Sequence, residues 1–136
     1  MFETFEHTAD LGLRVRAREL NELFAEAGRG LFTIIAGDLE QVRPEQASNL
    51  SVQGQWLDEL LFDWLTELLY RFDTQRLLLC EFRVQATEVG LEAVARGEPW
   101  DESRHPLEHE VKAITYHGLK VEQVDECWLA EVIVDI

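Results

Sequence analysis

The stretch EVKAITYHGLKVEQVDECWLAEVIVDI, residues 110–136, decides the fold. It contains two long alternating runs, 110–124 and 126–136, joined around Asp125 and Glu126. In the second run Trp128, Ala130, Val132, Val134 and Ile136 alternate with Leu129, Glu131, Ile133 and Asp135. A period of two is the mark of a β-strand, so the two runs form a hairpin. A turn at Asp125–Glu126 sets Asp135 opposite Tyr116 and beside His117. A bulge at Gly118 would shift that register by one. Asp135 is odd in its place: it closes a strongly apolar strand edge, either as a solvated end or as a ligand.

Working outward, residues 77–86 and 89–96 read as two further strands hinged near Glu88 or Gly90. A polar loop, GEPWDESRHP, spans 97–106. Upstream lies the strongest helical pattern, QWLDELLFDWLTELLYRF at 55–72. Leu57, Leu60, Leu61, Trp64, Leu65, Leu68, Leu69 and Phe72 form a broad apolar face, with Asp58, Glu59, Asp63 and Glu67 mainly off it. One such face is what a helix needs to cover a sheet. A second helix begins near Leu20, where Leu20, Leu23, Phe24, Ala27 and Leu31 make one apolar stripe. Gly28 and Gly30 weaken it internally, and Gly37 is its expected stop. Residues 2–7, 11–17 and 46–53 complete the strands. In the 11–17 run, Leu11, Leu13, Val15 and Ala17 face one way and Gly12, Arg14 and Arg16 the other. Helices concentrated in the first half and strands in the second give an α+β class. The expected architecture is two amphipathic helices packed on one antiparallel or mixed sheet, in a single domain over 1–136.

A chain of 136 residues can bury a sufficient core without staples. No apolar run reaches the ~18 residues of a membrane span. The first ten residues, MFETFEHTAD, lack the pattern of a signal peptide. Cys80 and Cys127 each sit in an apolar run, where buried free thiols are expected, with a disulfide between them as the alternative. These features point to the cytoplasm. Twelve Lys and Arg against 27 Asp and Glu give a net charge of −15. Such a surface repels phosphate backbones, so direct nucleic-acid binding is not expected; a basic protein or cations suit it.

HTAD at 7–10 clusters His7, Thr8 and Asp10 at the end of a strand. Thr and Asp there have an ordinary use in closing turns. A hard cation such as Ca²⁺ or Mg²⁺ wants several oxygen ligands, which Asp10, Asp135 and the backbone or terminal carboxylate of Ile136 could supply. Spacing alone does not bring Asp10 to Asp135. Glu98, Asp101, Arg104 and His105 in the 97–106 loop read either as a salt network or as a site. Lys112 reads as a strand lysine or as a neighbour of the acidic groups. No HExxH, P-loop, GxSxG, GxGxxG or EF-hand pattern occurs.

Taken as a set, HTADLGLRV, ELNELFAEAGRGLF, LDELLFDWLTELLY, GEPWDESRH, VKAITYHGLKV and WLAEVIVDI resemble the archease family, in the family's order, from about Phe5 to Ile136. The resemblance implies a small α+β protein that is not itself a catalyst. It implies a partner of the GTP-dependent RNA-splicing ligase, which joins 2′,3′-cyclic-phosphate or 3′-phosphate ends to 5′-hydroxyl ends. Its role there would be to promote guanylylation of the ligase and multiple turnover in tRNA splicing or RNA repair. It also implies a divalent cation, Ca²⁺ first with Mg²⁺ or Mn²⁺ as alternatives, held by Asp10, Asp135 and Ile136. His7, Glu98, Asp101, Arg104, His105, Lys112 and His117 lie in the matched blocks as site-support or interface residues. Two other readings stand beside this one. One is a metal-dependent hydrolase using Asp10, Asp135 and His7 or His117 as base; the other is a general acidic adaptor.

Overall fold

The computed structural model describes residues 1–7 and 10–136, at His7 the backbone alone. The chain runs β1 (Phe2–His7), β2 (Asp10–Ala17), α1 (Leu20–Ala36), one 3-10 turn (Leu39–Gln41), β3 (Gln46–Gln53), α2 (Leu57–Gln75), β4 (Leu77–Thr87), β5 (Gly90–Pro99), β6 (Ala113–Ile114), β7 (Lys120–Val124) and β8 (Cys127–Asp135). The α+β class and the two helices are as the sequence indicates. The strands form two sheets rather than one. The first has the order β1-β2-β8, with β6 and β7 both paired to the free side of β8; the second has the order β3-β5-β4. Every pairing among the described residues is antiparallel.

The two sheets exist because α1 has two apolar faces, not one stripe. Its buried residues include Leu23, Phe24, Ala27, Leu31, Phe32, Ile34 and Ile35, which go well around the helix. A helix apolar on most sides belongs inside. Gly28 and Gly30 are what let both sheets approach. A Cβ on Gly28 would sit 3.0 Å from the ring of Phe82 in β4, and one on Gly30 would sit 2.5 Å from Leu13 in β2. These glycines cost helix propensity, roughly 1 kcal/mol each relative to Ala, and the close packing on either side offsets it. The helix ends at Gly37, with φ 80°, whose N–H donates to the Thr33 carbonyl.

α2 packs its stripe against α1 and the sheets. Leu60, Leu61, Trp64, Leu65, Leu68, Leu69 and Phe72 are all buried, as their spacing predicts. Trp64 is completely buried and its indole N–H donates to the Phe24 carbonyl at 2.9 Å. That bond removes the penalty of a polar group in the core and ties the two helices. Edge-on contact of Trp64 with Phe82, at 6.2 Å, carries the same core into the second sheet.

On β8, Ala130, Val132 and Val134 join this core, while Leu129 and Ile133 are buried outside it on the opposite sheet face. The register β7–β8 follows the Asp125–Glu126 turn, with Val124 opposite Cys127 and Lys120 opposite Glu131. The expected continuous strand 110–124 is broken. Gly118, at φ 67°, and the Leu119 N–H bond to the Tyr116 carbonyl form a turn between β6 and β7. The register therefore shifts, and Asp135 lies opposite Ala113 instead of Tyr116. Two smaller differences follow from the packing. β5 extends to Pro99, so Gly97 and Glu98 belong to the strand and not to the loop. Cys80 is buried as expected, but Cys127 is exposed beside the hairpin turn, and both thiols are free.

Candidate metal centre

Asp10 begins β2 and Asp135 ends β8. The two are Cα partners in the antiparallel register. Side chains directly opposite one another share a face of the sheet, with Cβ atoms about 4.5–5.5 Å apart. Both residues are half-buried. Four residues along the same face, Arg14 lies opposite Glu131, flanked by Glu3 on β1 and Lys120 on β7. There the signs alternate: Glu3–Arg14 at 3.0 Å, Arg14–Glu131 at 3.4 Å and Lys120–Glu131 at 3.3 Å. Burial pushes Glu131 up, yet Arg14 and Lys120 together hold it below the usual carboxylate range. At the Asp10–Asp135 rung the same face places two carboxylates opposite each other. Like charges so placed are unfavourable in a bare sheet, and a cation between them reverses the sign.

β8 is held at this rung from both sides. Asp10 lies on one side and Ala113 on the other. The Lys112 N–H donates to the Asp135 carbonyl at 2.7 Å. Lys112 thus bears on the rung through its backbone, while its side chain is exposed. Ile136 follows directly and is half-buried against the core. The donor set of Asp10, Asp135 and backbone or carboxylate oxygens at Ile136 is all hard oxygen, which suits Ca²⁺, Mg²⁺ or Mn²⁺ rather than zinc. Among the described residues no group of three or more His, Cys, Asp or Glu side chains gathers in a metal-holding arrangement. What the register brings together is the pair of carboxylates alone. Backbone pairing also places His7 opposite Asp10; its side chain, with Thr8 and Ala9, lies outside the described residues. His117 sits exposed in the β6–β7 turn, where its N–H donates to Thr115 Oγ1 at 3.2 Å. Thr115 Oγ1 in turn donates to the Ile133 carbonyl at 2.9 Å.

Glu98, Asp101, Arg104 and His105 come together as a separate structure on the second sheet. Glu98 and His105 are buried polar residues, 4% and 2% exposed. Arg104 grips Glu98 with two nitrogens, at 2.7 Å and 3.1 Å. The Arg43 N–H donates to Glu98 Oε2 at 2.7 Å, and His105 Nε2 lies 3.0 Å from the same oxygen. His105 Nδ1 accepts the Asp101 N–H at 2.9 Å. The ring proton is therefore on Nε2, where it donates to Glu98. Arg104 foremost, against the opposing effect of burial, holds the Glu98 carboxyl down to about 2, with Arg43 and His105 adding to it. Asp101 Oδ1 accepts from Ser103 Oγ at 2.7 Å and from its N–H at 3.0 Å. Trp100 Nε1 closes the loop on the His105 carbonyl at 2.8 Å. The buried Glu98 carboxylate and both ring nitrogens of His105 are engaged within this clasp, and Arg104 also donates to the Gln41 carbonyl at 3.2 Å, so it is a fastening that holds the 100–106 loop to β5 and the 3-10 segment. The backbone donors Arg43 and Asp101 were not legible in the sequence, because a main-chain N–H has no residue signature.

Residues 2–136 match the model of the Archease protein family (MTH1598/TM1083). The chain belongs to the archease family. It is 44% identical to the protein archease of Methanopyrus kandleri, over 99% of this chain and 99% of that protein. It is 36% identical to that of Sulfurisphaera tokodaii, over 99% and 98%. The solution structure of Methanobacterium thermoautotrophicum protein 1598 superposes with a TM-score of 0.89 at 32% identity, covering 99% of this chain and 98% of that one. The crystal structure of a Thermotoga maritima archease, described as a possible chaperone, gives 0.68 at 20% identity over 100% and 98% and shares the fold. No helix among the described residues is long and apolar enough to cross a membrane.

Proposed function

We propose that this archease-family protein is a non-catalytic activator of the GTP-dependent RNA-splicing ligase, acting in the cytoplasm with a divalent cation held at the Asp10–Asp135 rung. One observation carries the cation reading: the sheet register sets two carboxylates opposite each other, whereas the charged rung four residues along the same face, Glu3–Arg14–Glu131–Lys120, alternates in sign. Asp10 and Asp135 would supply carboxylate oxygens and Ile136 a main-chain or carboxylate oxygen. The cation would neutralise the pair and lock the ends of β2 and β8 together. The ligase reading rests on family membership and on the charge of −15, which suits a basic partner better than RNA itself.

The test is guanylylation of the cognate ligase with labelled GTP, with and without a substoichiometric amount of this protein. A rise in guanylylated ligase, followed by repeated ligation turnovers, is expected. No change with a ligase active on its own would overturn the reading. The same assay with Asp10→Ala separates the roles: activation is lost if the rung acts as proposed, and is retained if the protein is a general acidic adaptor.

A further inference from the structure

The geometry points to a second contact surface, formed by the start of α2 and the β6–β7 turn, that takes a basic segment of a protein partner. It goes beyond the activator reading and does not depend on the cation. Three large aromatic side chains are open or half-open there. Tyr116, 64% exposed, lies flat on Phe62 with ring centroids 3.9 Å apart and planes within 10°. Trp56, 65% exposed, stands at the N-cap of α2. An N-cap is normally Ser, Thr, Asp or Asn, whose side chain satisfies an open N–H. Trp56 makes no such side-chain bond, so this position forgoes the usual capping contribution to the helix. Next to it a groove of about 410 Å³ runs between Leu57 on α2 and Leu119, Lys120 and Val121 on the β7 side; the Lys120 ammonium there is already paired with Glu122 and Glu131, at 3.6 Å and 3.3 Å. Leu119 is tied to Tyr116 by its backbone bond, so groove and aromatic stack are continuous.

The rim selects the partner's charge. Asp58, Glu59 and Asp63 are exposed on α2, and no cation among the described residues lies within 4 Å of them. Asp58 and Glu59 have a local use at the positive end of the helix. Asp63, in the second turn, does not. Aromatic faces set among unpaired carboxylates fit guanidinium and ammonium groups, which stack on the rings and pair with the acids. Apolar side chains of the same segment would fill the groove. An RNA strand could use the aromatics but not the acidic rim.

The experiment is an amide-resolved NMR titration of the full chain with a short synthetic peptide alternating arginine and leucine. A counterpart with glutamate for arginine and a single-stranded RNA are run beside it. Shifts at 56–63 and 116–121 with the arginine peptide alone are expected. Asp63→Lys and Trp56→Ala should each weaken binding about tenfold, equivalent to about 1.4 kcal/mol. The charge-matched control Glu92→Lys, on the second sheet, should leave it unchanged. Shifts spread over the whole acidic surface, an equal loss in Glu92→Lys, or preference for RNA would overturn the assignment.

Discussion

Glu98 receives four donors: two from Arg104, one from the Arg43 backbone and one from His105. Replacing it with Gln removes the charge that organises them. Arg104 is partly exposed and can turn to water, so the loss is smaller than for a wholly buried pair, about 2 kcal/mol. Because the folded carboxyl is held near 2 against an ordinary 4.5, the unfolded chain binds the proton first as pH falls. The advantage of wild type over Glu98→Gln is therefore full above pH 4.5 and fades towards pH 2. Urea unfolding of both proteins across that range checks it. The Asp10–Asp135 rung is tested through the cation instead. In chelator, Asp135→Asn should melt close to wild type, because no cation is then present for the carboxylate to hold. In excess Ca²⁺ only wild type should gain, by about 2.7 kcal/mol at a hundredfold excess over Kd. Thermal melts with and without the cation measure both arms.

At the scale of elements, the informative positions are those where two backbones approach. Gly97 on β5 is one: a Cβ there would lie 1.7 Å from the Leu78 carbonyl oxygen of β4. Main chain cannot swing aside as a side chain can. Gly97→Ala should cost about 3 kcal/mol, seen as a lower denaturation midpoint, and it would loosen Glu98 beside it. This spot is next to the irregularity between Leu79 and Glu81, where Cys80 has no partner on β5. Arg29 of α1 covers it by donating to the Cys80 carbonyl at 2.6 Å. Element types were legible in the sequence because apolar spacing is a local property. The stripe of α2 matches what is buried, as do Leu13, Val15 and Ala17 of β2 and Ala130, Val132 and Val134 of β8, although β8 also buries Leu129 and Ile133 on its other face. The break between β6 and β7 was foreshadowed only by Gly118. Its size was not legible, since an alternating pattern survives a turn that keeps its residues in phase with the sheet.

At the scale of the molecule, charge should govern encounter. If the partner is basic, its association rate with this protein should fall as salt rises, because screening shortens the reach of the −15 surface. Stopped-flow measurement over a salt series tests this, and a flat profile would remove steering. The sequence by itself determined the class, the two helices, the strand periods and the residues carrying the family resemblance. All of these are written in nearest-neighbour spacing. Only the tertiary structure decided that α1 lies between two sheets, through contacts at Gly28 and Gly30 with strands far along the chain. It also separated the candidate residues, closing Glu98, Arg104 and His105 into a clasp and setting Asp10 opposite Asp135. The physical reason is sequence distance. Pairing across 125 residues is a matter of register between strands, and register is settled by the whole packed sheet rather than by either strand alone.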